Sequence, residues 1–205
     1  MPEIIKDICQ QDDEWFKLRI GSIGGSSISQ AVAGGKGKSK ATLMYRLIGE
    51  MLSGEKYDGY SNPYMQMGNE LEPECRELYE FVTENQVEQI GMFKYDDHRH
   101  YSPDGLIETK DGLGLIEIKC VIPSTWAEVK ISNKIDTSYR KQMQYGLGIS
   151  GREFCDYVVY CSKIKDASPL IIIRVERDEK EIKDLMEGSE VFIKEMLELY
   201  KKISA

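Results

Sequence analysis

Leu115-Ile116-Glu117-Ile118-Lys119-Cys120 is the segment of this chain best suited to chemistry. Side chains alternate along a strand, so Leu115, Glu117 and Lys119 share one face and Ile116, Ile118 and Cys120 the other. Glu117 and Lys119 then stand about 7 Å apart along the strand. Taken alone, Glu-x-Lys is better explained as the polar outer face of a half-exposed strand. What shifts the balance is Ser102-Pro103-Asp104-Gly105, a turn that places an acid thirteen positions before Glu117. Two neighbouring strands joined as a hairpin bring Asp104 and Glu117 to one edge, with the Ile118 carbonyl beside them. Two carboxylates and a carbonyl make a hard oxygen site suited to Mg²⁺ or Mn²⁺. Lys119 would lie against the attacking water or the scissile phosphate and stabilise negative charge. This is a minimal set for metal-assisted phosphodiester hydrolysis.

The elements that must position these residues follow from periodicity. Residues 12–50 read as helical but broken by glycines, with 34–40 (Gly-Gly-Lys-Gly-Lys-Ser-Lys) a flexible basic loop. Apolar residues at Tyr64, Met67, Leu71, Cys75, Leu78 and Phe81 recur at helical steps and predict an amphipathic helix over 64–84, kinked or restarted near Glu72 by Pro73. Short strands are expected over 89–95, 102–108 and 113–120, then helices over 124–130 and 137–148. The apolar runs 154–161 and 170–176 read as central strands, and a closing helix covers 178–202. The order predicts a mixed α/β (α+β) domain around one central sheet, with residues 1–205 forming a single domain.

Composition narrows the class. The chain has 205 residues, 41% hydrophobic and 30% charged, which is the balance of a globular protein rather than a disordered or collagen-like one. No apolar run approaches the roughly 20 residues that cross a bilayer, and the start lacks a signal peptide's basic and apolar regions, so a cytoplasmic protein is expected. Five scattered cysteines without a Cys-x-x-Cys pair fit buried reduced thiols. His98 and His100, the only histidines, read as solvated polar residues in a turn rather than metal ligands. Gly37-Lys38-Ser39 matches the end of a phosphate loop, but Val32 stands where its first glycine is required and no strand precedes it, so a nucleotide site is rejected. The net charge of −8 argues against non-specific adhesion to nucleic acid, though not against a local basic site.

Pro-Asp followed by Glu-x-Lys, on strands preceded by a glutamate-bearing helix, resembles the PD-(D/E)XK nuclease superfamily with its restriction-endonuclease-like core. Four stretches narrow the resemblance to the phage lambda exonuclease or YqaJ-type viral recombinase family. They are 15–21 (Trp-Phe-Lys-Leu-Arg-Ile-Gly) with Ser26; 68–72 (Gly-Asn-Glu-Leu-Glu); 102–105 with 117–120; and 139–145 (Tyr-Arg-Lys-Gln-Met-Gln-Tyr). The acidic motif alone is weak, whereas all four in order are specific. The resemblance implies that Asp104, Glu117 and the Ile118 carbonyl hold the metal and that Lys119 is the catalytic lysine. It implies that Glu72, with Glu70 and Glu74 as rivals, completes the acidic cluster and helps hold a second ion. Pro73 departs from lambda exonuclease here and resembles a variant of wider relatives. Tyr139 and Gln142 fall on the family's glutamine motif, while Gln144 reads nearly as well as a packing amide. Arg19, Ser26 and Ser102 fall where the family binds the 5′-terminal phosphate; for Arg19 alone, an ion pair with Asp12, Asp13 or Glu14 would be the default. The implied activity is Mg²⁺-dependent 5′→3′ digestion of double-stranded DNA, leaving 3′ single strands for recombination. The implied assembly is a homotrimeric ring, with Lys36, Lys38, Lys40 or Arg140 lining its channel and a single-strand annealing protein as partner. An endonuclease or junction resolvase on the same fold is the alternative enzyme, and a non-catalytic DNA-binding module the alternative class.

Overall fold

The computed structural model describes residues 2–34, 38–57 and 63–204. The chain runs through β1 (Glu3–Ile5), α1 (Asp13–Lys17), α2 (Gly25–Ala31), α3 (Lys38–Ser53) and a long α4 (Pro63–Thr83). Strands β2 (Val87–Glu88), β3 (Met92–Asp96), β4 (Arg99–Tyr101), β5 (Gly105–Thr109) and β6 (Gly112–Cys120) follow. After them come α5 (Pro123–Ser132), α6 (Thr137–Ser150), β7 (Phe154–Tyr160), β8 (Leu170–Glu176) and α7 (Glu179–Ile203).

The mixed α/β architecture is as expected, but the strands form two sheets rather than one. The larger has the order β2-β5-β6-β7-β8 and the smaller the order β1-β3-β4. Pro103 separates them: without an N–H it cannot continue a ladder, so the run expected from Ser102 becomes a strand only at Gly105. In the larger sheet β6 and β7 are parallel and the other neighbours antiparallel. A parallel pair needs a crossover, and α5 and α6 supply it. Strand β7 is buried along its whole length, as a central strand should be. Strand β8 instead closes the sheet at its end, and its Arg174 is exposed.

Both faces of β6 are covered. Leu115 belongs to the buried apolar cluster that includes Met143, Tyr145 and Leu147 of α6, while Ile116 and Ile118 belong to the one that includes Cys75 and Tyr79 of α4. Each such side chain contributes about 1.5–3 kcal/mol on burial, so the strand carrying Glu117 is firmly placed.

Of the kink or restart expected near Glu72, the restart does not occur: α4 continues through Pro73 as one helix. The missing backbone bond and ring clash cost about 3 kcal/mol in a helix interior, and apolar packing of the turns on either side offsets it. The expected apolar stripe also shifts. Cys75 and Tyr79 are fully buried, whereas Phe81 is 83% exposed. Tyr79 has a polar reason to face inward, since its hydroxyl donates to Asp156 at 2.7 Å. Of the basic segment 34–40, residues 38–40 form the first turn of α3, where Lys40 pairs with Glu195 of α7 at 2.8 Å, while Gly34 is irregular. Gly35, Lys36 and Gly37 lie outside the described residues, as does the side chain of Tyr64. All five cysteines are free; Cys75, Cys155 and Cys161 are buried, but Cys9 is exposed, against expectation.

Candidate active site

Strands β5 and β6 pair with Gly105 opposite Ile116, and the Asp104 N–H donates to the Ile116 carbonyl at 3.2 Å. Asp104 therefore arrives at the edge from which Glu117 and Ile118 project. Its Oδ2 accepts the Ile118 N–H at 2.6 Å. Glu117 does not lie on a half-exposed face: it is 1% exposed. Its Oε2 accepts the Tyr101 hydroxyl at 2.9 Å and its Oε1 accepts the Gln142 amide at 2.6 Å. Lys119 donates to Glu117 Oε1 and, at 3.2 Å, to the Ile118 carbonyl. The Lys119 ammonium also sits 5.2 Å from the centre of the Tyr139 ring. Tyr139 and Gln142 are three residues apart on α6, which puts both on the face that meets β6. Gln144 packs elsewhere, bonding the Glu176 carbonyl at 2.8 Å and the Asp178 N–H at 3.0 Å.

Tyr101 was not singled out by sequence reasoning. Its ring reaches Glu117 because two glycines stand aside. A Cβ at Gly25 or Gly146 would come within 2.7 or 2.4 Å of the ring. A tyrosine directly before Ser-Pro-Asp was the available signal, and only the fold shows what it touches.

On α4, Glu72 is half-buried and paired with Arg76. Burial raises its pKa against the pull of Arg76 and Lys119, while Glu117 raises it further. Glu70 is exposed, and Glu74 accepts the Tyr160 hydroxyl. Glu72 is the glutamate of the three whose charge acts on Asp104 and is acted on by Glu117 and Lys119.

Burial, then Glu117 and Glu72, push the Asp104 carboxyl well above the usual carboxylate range, opposed by Lys119 and the Ile118 N–H. Burial would lower the Lys119 pKa, but Glu117 and Asp104 together raise it, so the ammonium stays charged. Asp104 and Glu117 thus act on one lysine, and Glu72 adds its charge from α4. Among the described residues no three His, Cys, Asp or Glu side chains already converge as an ion cage. The donor chemistry nonetheless fits a hard divalent cation. Asp104, Glu117 and the Ile118 carbonyl are oxygen donors, and Lys119 already supplies positive charge to two of them.

A second cluster flanks the first. The Arg19 guanidinium lies 3.8 Å over the Trp15 ring, and its Nε donates to His100 Nε2 at 2.9 Å. Trp15 Nε1 donates to Ser102 Oγ at 3.2 Å, which links this cluster to the turn carrying Asp104. Ser26 is exposed in the first turn of α2. Burial lowers the Arg19 pKa to about 10, with Glu50 opposing and Arg46 adding to the shift. Arg19 therefore forms the stacked arrangement in place of the expected default pair with Asp12, Asp13 or Glu14.

His100 departs from the expectation of a solvated residue, being 2% exposed. The bonds from Ile23 N–H to the His98 carbonyl (2.8 Å) and from His100 N–H to the Ile23 carbonyl (3.1 Å) lay residues 21–24 over β4 and cover the imidazole. His98 is half-buried, its Nδ1 3.0 Å from the Gly21 carbonyl. Arg140, expected at a channel wall, pairs with Glu181 at 2.8 Å and Asp178 at 3.5 Å.

The fold has counterparts among known proteins. Residues 14–153 match the YqaJ-like viral recombinase domain. The chain is 31% identical to an alkaline exonuclease from Laribacter hongkongensis, covering 94% of this chain and 96% of that one with a TM-score of 0.86. A structure of that exonuclease in complex with dAMP matches at 32% identity over the same shares, with a TM-score of 0.84. A phage related exonuclease from Haemophilus somnus 129PT has the same fold at 14% identity, with 89% and 96% covered and a TM-score of 0.67. No curated protein matches the chain. By the span of the domain match and its likeness to the Laribacter enzyme, the chain belongs to the YqaJ-like viral recombinase family.

Proposed function

We propose that this protein is a metal-dependent deoxyribonuclease that digests double-stranded DNA from its 5′ ends and leaves 3′ single-stranded overhangs for phage-type recombination. The observation that carries the proposal is the meeting of Asp104, Glu117, Ile118 and Lys119 at one strand edge, with Glu72 coupled to them from α4. Family membership and the exonuclease activity named for the Laribacter relative support it.

In this mechanism Asp104, Glu117 and the Ile118 carbonyl would hold Mg²⁺, or Mn²⁺ as the alternative, and Glu72 would help hold a second ion. A divalent ion there supplies Lewis acidity to the phosphodiester and lowers the pKa of the attacking water. Lys119, held charged by its neighbours, stabilises negative charge that develops on the phosphate. Gln142 and Tyr101 fix the Glu117 carboxylate from opposite oxygens, and the Tyr139 ring flanks the ammonium. Arg19, Ser26 and Ser102 receive the 5′-terminal phosphate, for which a guanidinium with hydroxyl donors is well suited.

The whole chain acts as one nuclease domain, cytoplasmic in a bacterial host, and assembles as a homotrimer around the duplex beside a single-strand annealing protein. Light scattering at micromolar concentration should return three times the chain mass; a monomer removes the ring. Linear duplex should be degraded in Mg²⁺ and spared by chelator, while closed circular duplex persists. Cutting of the closed circle would favour an endonuclease on the same fold, and no hydrolysis in either metal would favour a non-catalytic binding module.

A further inference from the structure

Arg19 is aimed by two aromatic neighbours, Trp15 and His100. Its guanidinium plane is set by the Trp15 ring at 3.8 Å, and one of its five N–H donors, on Nε, is taken by His100 Nε2 at 2.9 Å. For Nε2 to accept, the proton of a neutral imidazole must sit on Nδ1. That nitrogen lies 2.7 Å from Ser22 Oγ, which is 4% exposed and can receive it. The ring has one place to be, because a Cβ at Gly24 would come within 2.6 Å of Nε2.

We propose that His100, held by Ser22 and by the absence of a side chain at Gly24, is a positioning residue that sets the enzyme's selectivity for a 5′-phosphorylated end by orienting Arg19. The inference rests on the assignment of Arg19 to the 5′ phosphate. Its chemical logic is that an imidazole orients the guanidinium without neutralising it. A carboxylate at the same distance would hold Arg19 as well but would consume the charge that a phosphate dianion needs. Burial, together with the Arg19 and Lys56 cations, disfavours protonated His100 and keeps the acceptor available. With Nε occupied, the four N–H donors of the two terminal nitrogens have no hydrogen-bond partner among the described residues and remain as a fork for the ligand.

The test is the ratio of initial rates on linear duplexes with a 5′ phosphate and with a 5′ hydroxyl, for the full protein and its variants, with thermal unfolding to confirm the fold. His100→Leu, which removes the acceptor, should lower the ratio about 10-fold, the scale of one hydrogen bond to a charged group. His100→Gln, whose carbonyl oxygen can replace Nε2, should keep most of the ratio. Gly24→Ala should lower it by displacing the ring while leaving its chemistry intact. A folded His100→Leu protein with the unmutated ratio overturns the inference, and where that variant does not fold, a folded Gly24→Ala protein with the unmutated ratio does so. Loss in His100→Gln as complete as in His100→Leu also overturns it. Arg19→Ala separates the two levels: an unchanged ratio there removes the phosphate assignment itself, whereas a lost ratio beside an unaffected His100→Leu removes only the positioning role.

Discussion

The Asp104 carboxylate accepts the Ile118 backbone N–H at 2.6 Å, so the turn between the two sheets is fastened to the residue whose carbonyl stands beside Glu117. One hydrogen bond thereby brings an acid from the loop, an acid from the strand and a backbone oxygen to a single edge. Replacing Asp104 with Ala or Glu117 with Ala should abolish cleavage, because one carboxylate cannot hold both the cation and its water in place. Full activity in a folded Asp104→Ala protein would remove both residues from the proposed metal site.

Lys119 carries its charge next to Glu117 and the Ile118 carbonyl, where the proposed mechanism has negative charge grow on the phosphate. Lys119→Ala should lower turnover at least about 100-fold, the scale of losing one preorganised charge, with little change in DNA affinity. Single-turnover rates beside equilibrium binding check this; a defect confined to binding would make Lys119 a phosphate-positioning residue.

These two residues and Asp104 were legible in the sequence because the relation among them is local. Strand alternation relates Glu117 to Lys119, and a hairpin relates both to Asp104, so period and turn chemistry suffice. Glu72 was named from its motif with Glu70 and Glu74 as rivals; in the structure Glu70 is exposed and Glu74 accepts the Tyr160 hydroxyl. Tyr101 and His100 were not legible. Their roles depend on what covers β4, and that cover comes from residues 21–25 and from α6, far away in sequence. The division into two sheets was hidden for a similar reason. Strand β3 pairs with β1, about 90 residues earlier, and no local pattern records that partnership.

Tyr101 offers a test of whether Glu117 needs orientation. Tyr101→Phe removes one oxygen and leaves the Glu117 Oε2 without its donor. An unpaired buried acceptor costs about 1–3 kcal/mol, so the denaturant midpoint should fall accordingly. Cleavage at limiting Mg²⁺ should fall more than cleavage at saturating Mg²⁺. Equal loss at both concentrations would show that the hydroxyl serves the fold alone.

His100 predicts an acid-sensitive fold. Its pKa lies well below the ordinary value of 6.5 because of burial and then the Arg19 and Lys56 cations. The unfolded chain therefore binds the proton more tightly than the folded one. The stabilising contribution is complete above about pH 6.5 and is lost as pH falls below that value toward the folded pKa. Between pH 7 and pH 5 the melting temperature of the unmutated protein should drop more than that of His100→Gln. Parallel melting curves would assign the acid sensitivity to other groups.

The most direct test of the central proposal follows the two strands of a linear duplex separately, with one carrying a label at its 5′ end and the other at its 3′ end. In Mg²⁺, the account predicts early release of the 5′ label as mononucleotide while the 3′ label stays on long, progressively single-stranded product. The Asp104→Ala protein should release neither. Early loss of the 3′ label, or release of the 5′ label on oligonucleotides rather than on a mononucleotide, would contradict it.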